Sequence, residues 1–229
     1  MPVSAPPRVL PALLGLPVLL FALITWQVVA DGPLVGVDER LSRALVHPDR
    51  FSELLSDLGN VQVAVPVLVV ALAYAAWHGR ATGGDRWWLP PLAGALAMVL
   101  VPALVAPLKE WTDRPGTPAV PPASGYYPSG HTATAVVAYG AATLLLLGRL
   151  RAPAVRRGLV VLGALLVLGT SYGLVRRGYH WPLDVVASWC LGAVLLTGVR
   201  LVDRRTPWDV SRSTRRSSSG TPSSSNGPS

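Results

Sequence analysis

The fold is decided by an uncharged stretch, residues 88–108, whose sequence is WLPPLAGALAMVLVPALVAPL. A helix needs about 20 mainly apolar residues to span the hydrocarbon core of a bilayer, and this stretch is long enough. Its internal prolines are compatible with a membrane helix, because neighbouring helices can satisfy the backbone groups that proline frees. The stretch ends directly before Lys109, the only lysine in the chain.

Five further segments share this length and composition. With residues 88–108 they make six candidate spans, at about 9–30, 61–78, 88–108, 131–148, 158–174 and 182–202. Ionisable side chains fall almost entirely between them, and only 14% of all residues are charged, against about 25% in an average soluble domain. We therefore predict an all-α fold: residues 1–202 form a multi-pass membrane protein with six transmembrane helices.

Tryptophans lie at or near the proposed ends of these spans. Indole rings prefer the headgroup region, so this placement predicts aromatic belts at the two membrane surfaces. The residues concerned are Trp26, Trp77, Trp87, Trp88, Trp111 and Trp181.

The two ends of the chain need separate predictions. Val28-Val29-Ala30 resembles a signal-peptide cleavage site, but the apolar run before it is longer than the roughly 7–15 residues of a signal sequence. An uncleaved first span is therefore favoured. Residues 203–229 are rich in serine and arginine and poor in large apolar side chains, which predicts a disordered, basic cytoplasmic tail.

Arginines predict the orientation in the membrane. The loop from Arg149 to Arg157 holds four arginines and no acidic residue. Because short cytoplasmic loops are enriched in Lys and Arg, this loop and both termini are expected in the cytoplasm. The protein is then a plasma-membrane protein in which Lys109, His131 and His180 face outward.

Residues 31–60 form a predicted outer segment with leucines at roughly helical spacing among charges. This pattern is typical of an amphipathic helix, which either lies on the membrane surface or caps the helix bundle. The leucines are Leu41, Leu45, Leu54, Leu55 and Leu58.

Pro128-Ser129-Gly130-His131 stands at the start of the fourth span. Unpaired backbone N–H groups and the positive end of the helix dipole make such a start an anion site. Ser129 and Gly130 are therefore candidate phosphate-binding residues, with His131 within reach of the bound anion.

His180 and Asp184 lie four residues apart at the start of the sixth span, so they share a helix face. The carboxylate can hold the imidazole in one tautomer, which prepares a nitrogen nucleophile or base. The alternative is an interfacial histidine beside an aspartate that stabilises the first helical turn.

Four cations belong to the same predicted outer layer. Arginine forks match phosphate oxygens and lysine adds a compact charge, whereas the alternative is ordinary snorkelling at helix ends. They are Lys109, Arg114, Arg176 and Arg177.

Taken together, these motifs resemble the type 2 phosphatidic acid phosphatase family, membrane lipid phosphatases of the undecaprenyl-pyrophosphate phosphatase kind. That family carries Lys before Arg-Pro, then Pro-Ser-Gly-His, then Arg before His-x-x-x-Asp. Two positions depart from the pattern. Gly116 stands where the usual six-residue spacing after Lys109 puts the arginine, and Leu174 stands where the third motif has its arginine. Arg177, or else Arg176, is the expected replacement.

The resemblance implies a phosphatase that needs no metal or other cofactor and works through a phosphohistidine. His180 would attack, Asp184 would orient it, and His131 would act as acid and base. The implied partners are the bilayer and a phosphorylated lipid, of polyprenyl pyrophosphate or phosphatidic acid type, and no nucleic acid. Two alternatives stay open: a metal hydrolase using His131, His180 and Asp184, and a non-catalytic lipid-binding protein.

Overall fold

The computed structural model describes residues 9–205, with side chains from 14 to 203, and the regular secondary structure of this part of the chain is all α-helix. Its elements are α1 (Val9–Val29), α2 (Pro33–Leu45), α3 (Arg50–Asp57), α4 (Val61–Ala81), α5 (Leu89–Thr112), α6 (Gly130–Leu147), α7 (Pro153–Arg176) and α8 (Pro182–Arg205). The all-α prediction is confirmed, and the six long helices coincide with the six apolar segments. The predicted tail lies outside the described residues from 206 onward, while α8 includes its first three residues.

Five helices, α4 to α8, are long and apolar enough to cross a membrane. Within the described residues, α1 passes the same test only together with α2, from which it is bent by 89°. The bend falls at Asp31 and Gly32, and Pro33 then opens α2 at a first-turn position where its missing N–H costs nothing. By length and composition, the described residues thus contain five candidate spans, or up to six if the bent pair is one span.

Helix α6 is the centre of the bundle. It packs against α4, α5, α7 and α8, and 61% of its 18 residues are buried. Small residues permit this, because Ala133, Ala135, Ala138 and Ala141 are fully buried and let other helices approach closely. The N-terminus of α6, with its Ser-Gly-His sequence, is consequently held among the ends of the surrounding helices.

The outer segment forms two helices, where the leucine pattern predicted one. They pack on the bundle through polar residues, and α3 lies so close to α7 that a Cβ on Gly173 would come within 2.5 Å of the Ser56 nitrogen. Leu41, Leu45 and Leu54 are exposed instead. The helices thus cap the bundle, while Leu55 is half-buried and lies beside Gly169 of α7.

Helix α1 is joined to the rest of the bundle. It packs along α8, and Thr25 Oγ1 shares a buried hydrogen bond of 2.7 Å with the Tyr127 hydroxyl. Trp26, Trp77 and Trp111 are each more than 60% exposed, as a membrane belt requires. Trp181 is a correction to the predicted belt: it is buried, because its Nε1 donates to the Pro115 carbonyl at 2.9 Å.

Candidate active site

A cavity of about 930 Å³ opens beside the N-terminus of α6. Lys109 from the last turn of α5, Gly130 and His131 from the first turn of α6, and His180 just before α8 all line it. The structure therefore brings together one residue or more from each of the three sequence motifs.

His180 is buried and held by Asp184. Its Nδ1 lies 3.2 Å from Asp184 Oδ2, and the Trp181 amide donates to the same oxygen at 3.2 Å. Because an ionised carboxylate can only accept, Nδ1 carries a proton, and in the neutral ring Nε2 then holds the lone pair. The Tyr126 ring meets the imidazole edge-on at 5.8 Å, which fixes the ring plane.

His131 is held from its other ring nitrogen. Its Nε2 lies 3.0 Å from Asn60 Oδ1, and Asn60 Nδ2 donates to Asp57 Oδ1 at 3.0 Å. Since the Asp57 carboxylate only accepts, the amide of Asn60 is oriented with its oxygen towards His131. Asn60 and Asp57, which also line the cavity, were missed by the sequence analysis. A lone Asn at the start of a span carries no motif that could have identified it.

Ser129 serves the scaffold and does not face the cavity. Its hydroxyl accepts from the Thr132 amide at 3.3 Å, as a helix N-cap does, and its own amide donates to the Asp184 carbonyl at 3.2 Å. The side chain is fully buried. The amides of Gly130 and His131 occupy the first turn of α6, where no intrahelical acceptor exists. The Ser129 amide is thus already paired, and the amides left without a partner in the helix at this turn are those of Gly130 and His131.

Lys109 faces the cavity with its ammonium group. Nζ donates to the Gly125 carbonyl at 2.7 Å and lies 5.9 Å from the centre of the Tyr126 ring. An ammonium group has three donors, so this one backbone contact leaves capacity for an anion.

Arg114 is buried behind the site instead of lining the cavity. Its Nη1 donates to Asp184 Oδ1 at 2.5 Å and its Nη2 donates to Asp38 Oδ2 at 2.6 Å. The guanidinium also covers the face of the Trp181 ring at 5.3 Å. The predicted phosphate ligand is thus an ion-pair partner of the carboxylate that holds His180.

The two arginines at the end of α7, Arg176 and Arg177, also contact other partners. Arg176 Nε donates to Asp49 Oδ2 at 2.9 Å. The Ser52 amide and then this guanidinium lower the pKa of the Asp49 carboxyl to about 2. Arg177 donates to the Tyr179 hydroxyl through Nε and Nη2, at 3.3 and 3.0 Å. The hydrogen bond to this hydroxyl is the main cause that raises the pKa of the Arg177 guanidinium.

At the motif position of the third arginine, Leu174 lines the cavity and is buried. Arg177 reaches this wall only through Tyr179, which also lines the cavity. Within the described residues, Lys109 is consequently the one lysine or arginine that lines it.

These features define a class of protein: a helical membrane protein with a polar site at one end of the helix bundle. Two oriented histidines, a lysine and a helix N-terminus surround its cavity. The chain belongs to the PAP2 superfamily, whose family model matches residues 92–208 and so includes Lys109, His131, His180 and Asp184. The family expected from the motifs is thereby confirmed.

Two relatives can be compared in detail. The chain is 42% identical over 67 residues to an undecaprenyl-diphosphatase of Sulfolobus acidocaldarius, which is 29% of this chain and 28% of that protein. The chain therefore matches less than a third of the length of this curated relative. The fold is similar to the crystal structure of a transmembrane PAP2 type phosphatidylglycerolphosphate phosphatase from Bacillus subtilis, with a TM-score of 0.66 and 23% identity. That likeness covers 82% of this chain and 96% of the other, and it confirms the transmembrane fold.

Proposed function

We propose that the protein is a metal-independent membrane lipid phosphatase that cleaves a phosphomonoester or pyrophosphate through a phosphohistidine at His180. The observation that carries this proposal is the buried His180–Asp184 pair, which fixes the proton on Nδ1 beside a cavity shared with His131 and Lys109. Membership of the PAP2 superfamily supports it.

The first step transfers the phosphoryl group to the enzyme. His180 Nε2 attacks phosphorus, the bond from phosphorus to the leaving oxygen breaks, and protonated His131 donates its Nδ1 proton to that oxygen. Nδ1 is the donor because Nε2 is directed at Asn60. The imidazole ring becomes positively charged, and the Asp184 carboxylate stabilises that charge.

The second step returns the enzyme to its starting state. Water attacks the phosphohistidine while His131 takes its proton, the bond from Nε2 to phosphorus breaks, and inorganic phosphate leaves. Lys109 and the amides of Gly130 and His131 are placed to stabilise the charge on the phosphoryl oxygens. Such pre-oriented donors need no reorganisation during the reaction.

The remaining cavity wall supports a lipid substrate. It is apolar and follows one face of α5 from Lys109 to Met98, which is about 16 Å along a helix that rises about 1.5 Å per residue. Val61 and Val65 of α4 form the facing wall. A hydrocarbon chain can lie here while its phosphate reaches the histidines, so prenyl and acyl lipids both fit.

The two alternative functions are less well supported. A metal site would need His131, His180 and Asp184 to converge, but Asp184 is already engaged by Arg114, and no such group of three is found among residues 9–205. A purely lipid-binding protein would not need two histidines oriented through opposite ring nitrogens.

The test is phosphate release by the purified protein in detergent, with excess chelator, from farnesyl pyrophosphate and from phosphatidic acid. We expect release that His180→Ala abolishes, together with an acid-labile phosphoenzyme that only the parent protein forms. His47→Ala, which alters an exposed histidine, is the matched control and should stay active. Release only after metal is restored would contradict the mechanism, and no release from either lipid would contradict the function.

A further inference from the structure

The deepest charged groups of the site form a chain of ion pairs that reaches beyond the three motifs. We infer that Asp38 and Arg114 are positioning residues that act on His180 through Asp184, and that Asp38 preserves the negative charge that Asp184 presents to the imidazole. This inference rests on the proposed phosphatase. It gives Arg114 a role different from that of a phosphate ligand, and it brings α2 into the reaction.

The chain of ion pairs is defined by the burial of its side chains and by the distances between them. The exposed fractions of the side chains of Asp38, Arg114 and Asp184 are 1%, 5% and 0%, and the two arginine–carboxylate distances are 2.6 and 2.5 Å. Asp38 Oδ1 also accepts from the Leu183 amide at 2.9 Å, in the first turn of α8. Asp38 is therefore joined both to the arginine and to the turn that carries Asp184.

The hydrogen bonds explain why Arg114 is unsuited to binding phosphate. Both terminal nitrogens donate to carboxylates, and the ring of Trp181 covers the guanidinium face. To reach a phosphate, Arg114 would have to leave two buried carboxylates unpaired, which is costly because a buried charge without a partner is strongly destabilising.

Charge balance explains why Asp38 matters. Arg114 alone beside Asp184 would give a pair of net charge zero, and a neutral pair stabilises a cationic ring poorly. With Asp38 the three charges −1, +1 and −1 sum to −1, directed at the imidazole that becomes positive when His180 is phosphorylated. The arginine orients the Asp184 carboxylate, and Asp38 compensates for the arginine's charge.

The experiment is a double-mutant cycle with Asp38→Asn, Arg114→Gln and the two combined, measured as kcat, KM and trapped phosphoenzyme. We expect Asp38→Asn to lower kcat on the order of 10²-fold, with KM changed less than about threefold, because the ground-state contacts of the substrate are untouched. The double variant should recover at least about fivefold over Asp38→Asn, since it removes two opposite charges and leaves Asp184 negative. Asp38→Glu should retain most activity.

Other outcomes decide against the inference. If Arg114 binds phosphate, Arg114→Gln raises KM and the second substitution brings no recovery. If the chain of ion pairs is only structural, all variants lose folded protein and thermal stability while kcat per folded molecule stays unchanged. Should Asp38→Asn fail to fold, Asp38→Glu and Arg114→Gln still decide: retained activity in the first and a lower kcat at unchanged KM in the second support positioning, whereas a raised KM in the second contradicts it. Glu39→Gln, the same charge change on the exposed side of α2, is the matched control. An inactive parent protein would contradict the proposed function and not this network.

Discussion

At the scale of residues, each histidine of the site is held through a different ring nitrogen. Asp184 is hydrogen-bonded to Nδ1 of His180, whereas Asn60 is hydrogen-bonded to Nε2 of His131. The nitrogen left for chemistry therefore differs between the two rings. The nucleophile and the general acid that we propose have different tasks, and the two rings have different neighbours in the structure.

This arrangement gives a prediction for Asn60. Asn60→Leu should lower kcat on the order of tenfold for lipid substrates, because an unheld His131 donates its proton from a less favourable orientation. The loss should be smaller for p-nitrophenyl phosphate, whose leaving group needs little acid assistance. The side chain of Asn60 makes no capping hydrogen bond to α4, so the helix should be unaffected.

The control for Asn60 is Gln62→Leu, which changes an exposed amide at the second residue of the same helix. Equal losses with good and poor leaving groups would show that Asn60 contributes to packing and not to proton transfer.

At the scale of elements, α3 is anchored to the bundle by its first turn. Asp49 accepts from the Ser52 amide at 2.7 Å, and Ser52 Oγ accepts from the Asp49 amide, so the two form a capping box. Arg176 at the end of α7 then pairs with the same carboxylate. A short helix with exposed Phe51 and Leu54 side chains thereby acquires a defined position beside the cavity, which Ser56 and Asp57 of α3 help to line.

The anchor has a predictable pH dependence. The pKa of Asp49 is lowered to about 2 in the folded protein, from an ordinary value of about 3.9. A lowered pKa means that ionised Asp49 stabilises the fold above about pH 4 and that this contribution is lost as the pH falls through about 2.

Thermal unfolding in detergent checks this dependence. Asp49→Asn should unfold at a lower temperature than the parent protein near neutral pH, and the difference should shrink as the pH falls below about 4. Glu39→Gln should show no such difference. A gap between parent and variant that is constant with pH would contradict an ionic anchor.

At the scale of the whole molecule, the arginine distribution predicts, through the positive-inside rule, that the cavity faces the outer side of the membrane. Cys190 is the only cysteine and is buried in α8, so a cysteine-free background needs one substitution, Cys190→Ser. Pro121 lies in the exposed segment between α5 and α6, and Ala154 lies at the exposed start of α7.

In that background, a membrane-impermeant maleimide added to intact cells should label Pro121→Cys at once. Ala154→Cys should be labelled only after the membrane is permeabilised. The opposite pattern, in variants that keep their activity, would reverse the orientation and move the site to the cytoplasmic side.

The sequence by itself determined the long helices, the family and the central residues of the site. Apolar runs such as 88–108 identify membrane helices because hydrocarbon admits only segments that satisfy their own backbone groups. The same reasoning located Lys109, His131 and His180, since each is a polar residue at the end of such a run. These predictions depend on local composition, which needs no knowledge of packing.

Only the tertiary structure decided which partner each charged side chain takes. Arg114 is 76 residues from Asp38 and 70 from Asp184, and Asn60 is 71 from His131, so no local pattern relates them. Arg176 likewise meets Asp49 across 127 residues, and Leu174 reaches the cavity wall where the motif has arginine. Ion pairs form between groups that tertiary packing makes neighbours. That packing depends on how α2, α3 and the segment before α6 pack on the helix bundle.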